Sequence, residues 1–120
     1  MKEAIRRARP EDERPIPEGC WILELSNSEA DPDLSVARAR VPPGVTTQWH
    51  RLRNIAERYV ILEGQGRAEI GGLASQEVLP GDVVLIPASC RQRIANTGRG
   101  DLVFLALCTP RFRQEAYEAL

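Results

Sequence analysis

At 120 residues, 42% hydrophobic and 28% charged, the chain suits one domain with a single core and has a globular rather than a disordered composition. Sixteen Lys and Arg against seventeen Asp and Glu leave a formal net charge of -1, with only two Phe, two Tyr and two Trp. These numbers exclude both the basic field and the stacking platform of a nucleic-acid binder.

Residues 1–19, MKEAIRRARPEDERPIPEG, start basic but have no apolar stretch behind them, which is not a secretory pattern. No run approaches the ~20 apolar residues of a membrane span. The expectation is a cytoplasmic protein with no membrane partner. Lys2 to Ala8 allows one turn of helix, after which Pro10, Pro15 and Pro17 force an extended path. Residues 1–19 therefore read as an arm, frayed or docked on another subunit.

Residues 20–110 read as short strands between turns. The segment 21–25 is apolar and ends at Ser26-Asn27-Ser28, and 34–41 alternates between Asp31-Pro32-Asp33 and the break at Pro42-Pro43-Gly44. Residues 59–62 close at Glu63-Gly64-Gln65-Gly66, a tight hairpin loop returning as 67–70. Residues 76–79, 83–86, 91–95 and 102–108 complete the series, with no βαβ alternation. Residues 111–120 hold good helix formers, with Phe112, Ala116 and Leu120 four apart, and predict a short C-terminal helix. Cys20, Cys90 and Cys108 are odd in number and lack CxxC spacing, so they read as reduced thiols filling the core.

Two segments carry fixed spacing. Gly44, His50, Leu52, Glu57 and Gly64 form the first; Gly81, Pro87, Ser89, Gln92 and Asn96 form the second. With PGDVVLIP (80–87) and VILEGQG (60–66), this pattern resembles the cupin superfamily, including its sugar-phosphate-isomerase-like single-domain members. The resemblance implies an all-β double-stranded β-helix, a jelly-roll barrel. It also implies a metal held by two histidines and a glutamate of the first motif and a histidine of the second. Carried over by position, His50 and Glu57 match, Leu52 replaces the second histidine and Gln92 the third. The implied ligand set is His50, Glu57 and Gln92 around a divalent ion (zinc, manganese, nickel or iron). Ser89 stands where the motif has glycine, which bears on the turn rather than the site.

Strand parity puts Gln48, His50 and Leu52 on one face, Glu57, Tyr59 and Ile61 on a second, and Gln92 and Ile94 on a third. Gln48 could fill the position Leu52 leaves open, and Arg53 could reach an anionic ligand at the mouth. Glu57 is either a site carboxylate or the partner of Arg51, Arg53 or Arg58. Gln92 is a ligand, a hydrogen-bond donor or a polar lining residue. Tyr59 fills the wall or donates a proton. Two functions follow. One is a metal-dependent isomerase, lyase or decarboxylase acting on a small polar, oxygenated molecule, with Glu57 and Tyr59 moving protons. The other is a non-catalytic module that binds a small molecule or metal as a sensor. A homodimer is expected in either case.

Overall fold

Residues 1–120 are described by a computed structural model. Its strands in chain order are Arg14–Pro15 (β1), Trp21–Ser26 (β2), Ser35–Val41 (β3), His50–Leu52 (β4), Ala56–Glu63 (β5), Gly66–Ile70 (β6), Gln76–Val78 (β7), Val83–Ile86 (β8), Gln92–Asn96 (β9), Leu102–Thr109 (β10) and Tyr117–Ala119 (β11). They form a six-stranded sheet, β1-β2-β3-β10-β5-β8, and a five-stranded sheet, β11-β4-β9-β6-β7. All pairings are antiparallel. The fold is all-β.

Period-two alternation decides which side chains enter the barrel. Along β5 the buried residues are Glu57, Tyr59 and Ile61, and along β9 they are Gln92, Ile94 and Asn96. Ile61 and Ile94 meet Val41 and Leu102 in the core, each buried essentially completely. A smaller cluster of Leu52, Ile55 and Cys108 closes one end under Phe112, Ala116 and Tyr117.

The motif residues outside the site hold turns. Gly64 has φ +82°, and a Cβ there would lie 2.5 Å from the Asp101 carbonyl oxygen, so both conformation and space demand glycine. Ser89 adopts the left-handed region, φ 63°, without being glycine. Its hydroxyl accepts the Asn54 N–H at 3.1 Å, and its own N–H donates to Leu52 at 2.9 Å. Asn96 donates from Nδ2 to the carbonyls of Val41 and Gly100 and accepts from Gly98 N–H, all at 2.8 Å.

Both termini depart from the sequence reading. The predicted C-terminal helix is reduced to one 3-10 turn, Gln114–Ala116, and Tyr117–Ala119 then pairs as a strand with β4. A segment this short gains little from helix propensity. The open edge of β4 offers it a ladder, and the Leu52–Ile55 cluster takes Tyr117 and Phe112. At the other end, the second half of the 1–19 segment docks on its own barrel. β1 pairs with β2, Glu13 receives a forked hydrogen bond from Arg40, and Gln48 N–H donates to the Glu18 carbonyl at 2.9 Å.

Candidate active site

Strands β4 and β9 run antiparallel with His50 directly opposite Gln92. The preceding stretch is tied down by Thr47, whose N–H donates to the Ile94 carbonyl at 2.9 Å and whose hydroxyl accepts the Ile94 N–H at 3.0 Å. Trp49 consequently faces outward, where the guanidinium groups of Arg91 and Arg93 cover its ring at 4.7 and 4.6 Å. His50 faces inward and is 3% exposed.

The imidazole has three close neighbours. Its Nδ1 lies 2.7 Å from the Gln48 carbonyl oxygen. A carbonyl only accepts, so Nδ1 carries the hydrogen. In the neutral ring, Nε2 is then the free base. The Tyr117 ring stacks on the imidazole at 5.3 Å. Nε2 lies 3.7 Å from Oε2 of Glu18.

Glu57 is buried, on β5. The Cys108 thiol donates to its Oε2 at 3.7 Å, while Oε1 has no partner. Burial pushes the Glu57 pKa up to about 7; Gln92 and the charge of His50 pull it down, and Glu18 adds to the rise. Glu18 is likewise pushed up to about 7 by burial, against a lowering contribution from Cys20. Two carboxyls thus change charge near neutrality in one apolar enclosure, where an ordinary glutamate would be ionised. Burial, with the neighbouring carboxylates, raises Cys20 and Cys108 further and keeps both as thiols. Tyr59 is raised well above its ordinary value, again chiefly by burial, so its hydroxyl is a neutral donor.

These groups border a cavity of about 160 Å³. His50, Glu57, Tyr59, Glu18, Leu52 and Tyr117 line it, backed by the small residues Ala37, Ala39 and Ala106 and by Phe104. Arg14, Glu24, Asn27 and Gln114 are also among the lining residues. A cavity of roughly 150 Å³ accepts a molecule the size of benzene. The interior therefore suits about six to eight non-hydrogen atoms.

Not every residue expected from the sequence stands in this wall. Gln92 is fully buried but does not line the cavity; its amide oxygen accepts the Tyr59 hydroxyl hydrogen, and its Nε2 has no partner. The Gln48 side chain is exposed, and this residue serves the site through its backbone, as acceptor for His50 and donor to Glu18. Arg53 donates to the Glu115 carbonyl at 3.0 Å and is also outside the cavity, because the C-terminal 3-10 turn pins it there. Arg51 pairs with Glu118 at 3.0 Å, and Arg58 donates to Thr109, so none of the three arginines neutralises Glu57. Among the lining residues not singled out from the sequence are the two that contact the His50 ring, Glu18 and Tyr117. The only local signal for Glu18 is the Pro-Ile-Pro-Glu-Gly run, whose prolines and positive-φ Gly19 stiffen the chain. Nothing in it says which way the carboxyl points.

As a cradle for a metal ion the donor set falls short. Leu52 is hydrocarbon, the Gln92 oxygen is engaged by Tyr59, and no three His, Cys, Asp or Glu side chains group so as to hold an ion. Of the expected set His50 and Glu57 remain, too few for the three or four protein ligands of a tightly held ion, and the neighbouring Glu18 carboxyl does not complete a group that could hold one. The residues do not fit a resident metal.

The family model described as the cupin domain matches residues 37–108. An uncharacterized protein of Methanocaldococcus jannaschii is 35% identical over 86 residues, 72% of this chain and 68% of that one. A predicted oxalate decarboxylase from Thermotoga maritima superimposes with a TM-score of 0.76 at 26% identity, covering 87% of this chain and 98% of its own. Bacillus subtilis oxalate decarboxylase, described with Mn(II) centers, gives 0.79 at 22% identity over 92% of this chain and 30% of its own. At that identity the likeness concerns the fold.

Proposed function

This chain belongs to the cupin domain family, and from that premise we propose that its barrel is a small acid–base enzyme, of isomerase, lyase or decarboxylase type, acting on a small polar, oxygenated molecule. His50 Nε2 is the base, Glu57 the carboxyl that stores or returns the proton, and Tyr59 a neutral donor whose hydroxyl hydrogen leaves Gln92 to meet the substrate oxygen. The observation that carries this reading is the convergence of His50, Glu57 and Tyr59 on one cavity of about 160 Å³. The near-neutral pKa of Glu57 supports it, since a proton carrier works best when its pKa lies near the working pH. The proposed protein is cytoplasmic and homodimeric.

The second reading is the divalent ion of the resemblance, held loosely by His50 and Glu57 with or without Gln92. It is favoured by the buried, partnerless Oε1 of Glu57.

Elemental analysis of the purified protein, paired with assays on 2-oxo acids and hydroxy-carbonyl compounds, separates the readings. The expected result is substoichiometric metal and a turnover that survives a chelator but falls about 10²–10⁴-fold in His50→Ala and Glu57→Gln. Stoichiometric zinc, manganese, nickel or iron, lost in His50→Ala, would put the metal reading in its place. Binding of the same compounds without turnover would make the barrel a sensor.

A further inference from the structure

The N-terminal segment contributes a carboxyl that no barrel strand supplies. Ile16 N–H donates to the Cys20 carbonyl at 2.9 Å and Gly19 N–H to the Ile16 carbonyl at 3.0 Å, closing a turn in which Gly19 has φ +107°. The Glu18 carbonyl is meanwhile fastened to Gln48 N–H, two residues before His50. This anchorage leaves the Glu18 side chain only 12% exposed, in the cavity wall, with Oε2 3.7 Å from His50 Nε2. No arginine or lysine pairs with it.

We infer that Glu18 is a catalytic acid paired with His50, and that the two act together on neighbouring atoms of a small hydroxy-carbonyl compound. The inference rests on the acid–base reading above. The spacing is what recommends it. Two groups 3.7 Å apart on one wall can reach a C–H and the oxygen of the adjacent carbonyl at the same time. In the step, Nε2 takes the proton from the carbon, and that C–H pair becomes the new carbon–carbon π bond. The carbonyl π pair moves to oxygen, which takes the proton of the Glu18 carboxyl. An enol is left with His50 as imidazolium and Glu18 as carboxylate. Running the step back at the neighbouring carbon restores both groups, so no further reactant is needed. Enolisation of this kind is the entry to isomerisation and to β-elimination alike.

The test uses the full chain, with dihydroxyacetone and pyruvate as probes small enough for the cavity. Exchange of their carbon-bound protons into deuterium oxide is followed by proton NMR. In parallel, the ring nitrogens of the single histidine are observed by long-range ¹H–¹⁵N spectra. Glu18→Gln, near-isosteric, is expected to slow the exchange about a hundredfold, to move the His50 Nε2 shift and to leave Nδ1, still bound to Gln48, in place. Glu18→Asp, which keeps the acid, is expected to recover part of the rate. Exchange abolished in His50→Ala but unchanged in Glu18→Gln would overturn the role of Glu18 while leaving the acid–base reading intact. Both ring nitrogens moving together in Glu18→Gln would overturn it too, by showing a structural role. No exchange of either probe by the wild-type chain would sink the acid–base reading and this inference with it.

Discussion

A glutamate on a barrel strand usually faces solvent or an arginine; Glu57 is buried and pairs with no arginine, and its Oε1 has no partner. Its carboxyl rests among Tyr59, Gln92 and a thiol, and burial lifts its pKa from 4.5 to about 7. The consequence for stability has a definite sign. The native state holds this proton more tightly than the unfolded chain does. Stability from the group is therefore complete below about pH 4.5 and is lost as pH rises through about 7. Glu18 acts in the same direction over the same window. Glu57→Gln removes one of the two titrations. In urea melts it is expected to match the wild type near pH 4.5 and to exceed it near pH 8, by up to about 3 kcal/mol. Equal stability of the two proteins across that range would show that the Glu57 carboxyl is solvated rather than enclosed.

The short C-terminal strand illustrates how tertiary context overrides propensity. Residues 112–120 contain Ala, Glu, Gln and Leu, all helix formers, yet they form one 3-10 turn, and Tyr117–Ala119 then extend along β4. The ladder of β11 is continued by Leu120 N–H, which donates to the Trp49 carbonyl, and by Arg53 N–H, which donates to the Ala116 carbonyl, both at 2.9 Å. Tyr117 adds its ring over His50 and Leu52. Deleting residues 114–120 is expected to cost about 2–3 kcal/mol, the worth of burying one large side chain, and to expose the β4 amides. Urea melts and amide hydrogen exchange check both parts. Unchanged protection of the β4 amides would mean that the tail does not hold that edge.

Across the whole molecule, the six-stranded sheet has one end that its own chain leaves bare. β8 pairs only with β5, and Val83 and Leu85 point outward from it, 54% and 68% exposed. Leu62 adds apolar surface on the adjoining strand. An open, apolar edge is a liability for a free chain and a ready surface for a second copy. The arm is less available for that purpose, because its residues from Glu13 to Cys20 are spent on their own barrel. Light scattering at micromolar concentration is expected to give the mass of a dimer, and Val83→Lys with Leu85→Lys that of a monomer. A monomeric wild type would count against the homodimer.

The all-β architecture was legible in the chain because its signals are local. Gly64, Gly81 and the Pro42-Pro43-Gly44 break mark turns by backbone sterics alone, and period-two alternation puts Glu57, Tyr59 and Ile61 on one face. The same parity brought His50 and Gln92 to a common interior. It could not say that Tyr59 would take the Gln92 oxygen, since that depends on how two strands far apart in the chain register. Nor could it find Glu18 and Tyr117. Both come from terminal segments whose local propensities are weak, and which take their conformation only from the sheet edges and apolar cluster they cover. Burial then sets the chemistry: whether a carboxyl titrates near 4.5 or near 7 is a property of the water around it, and only the folded barrel removes that water.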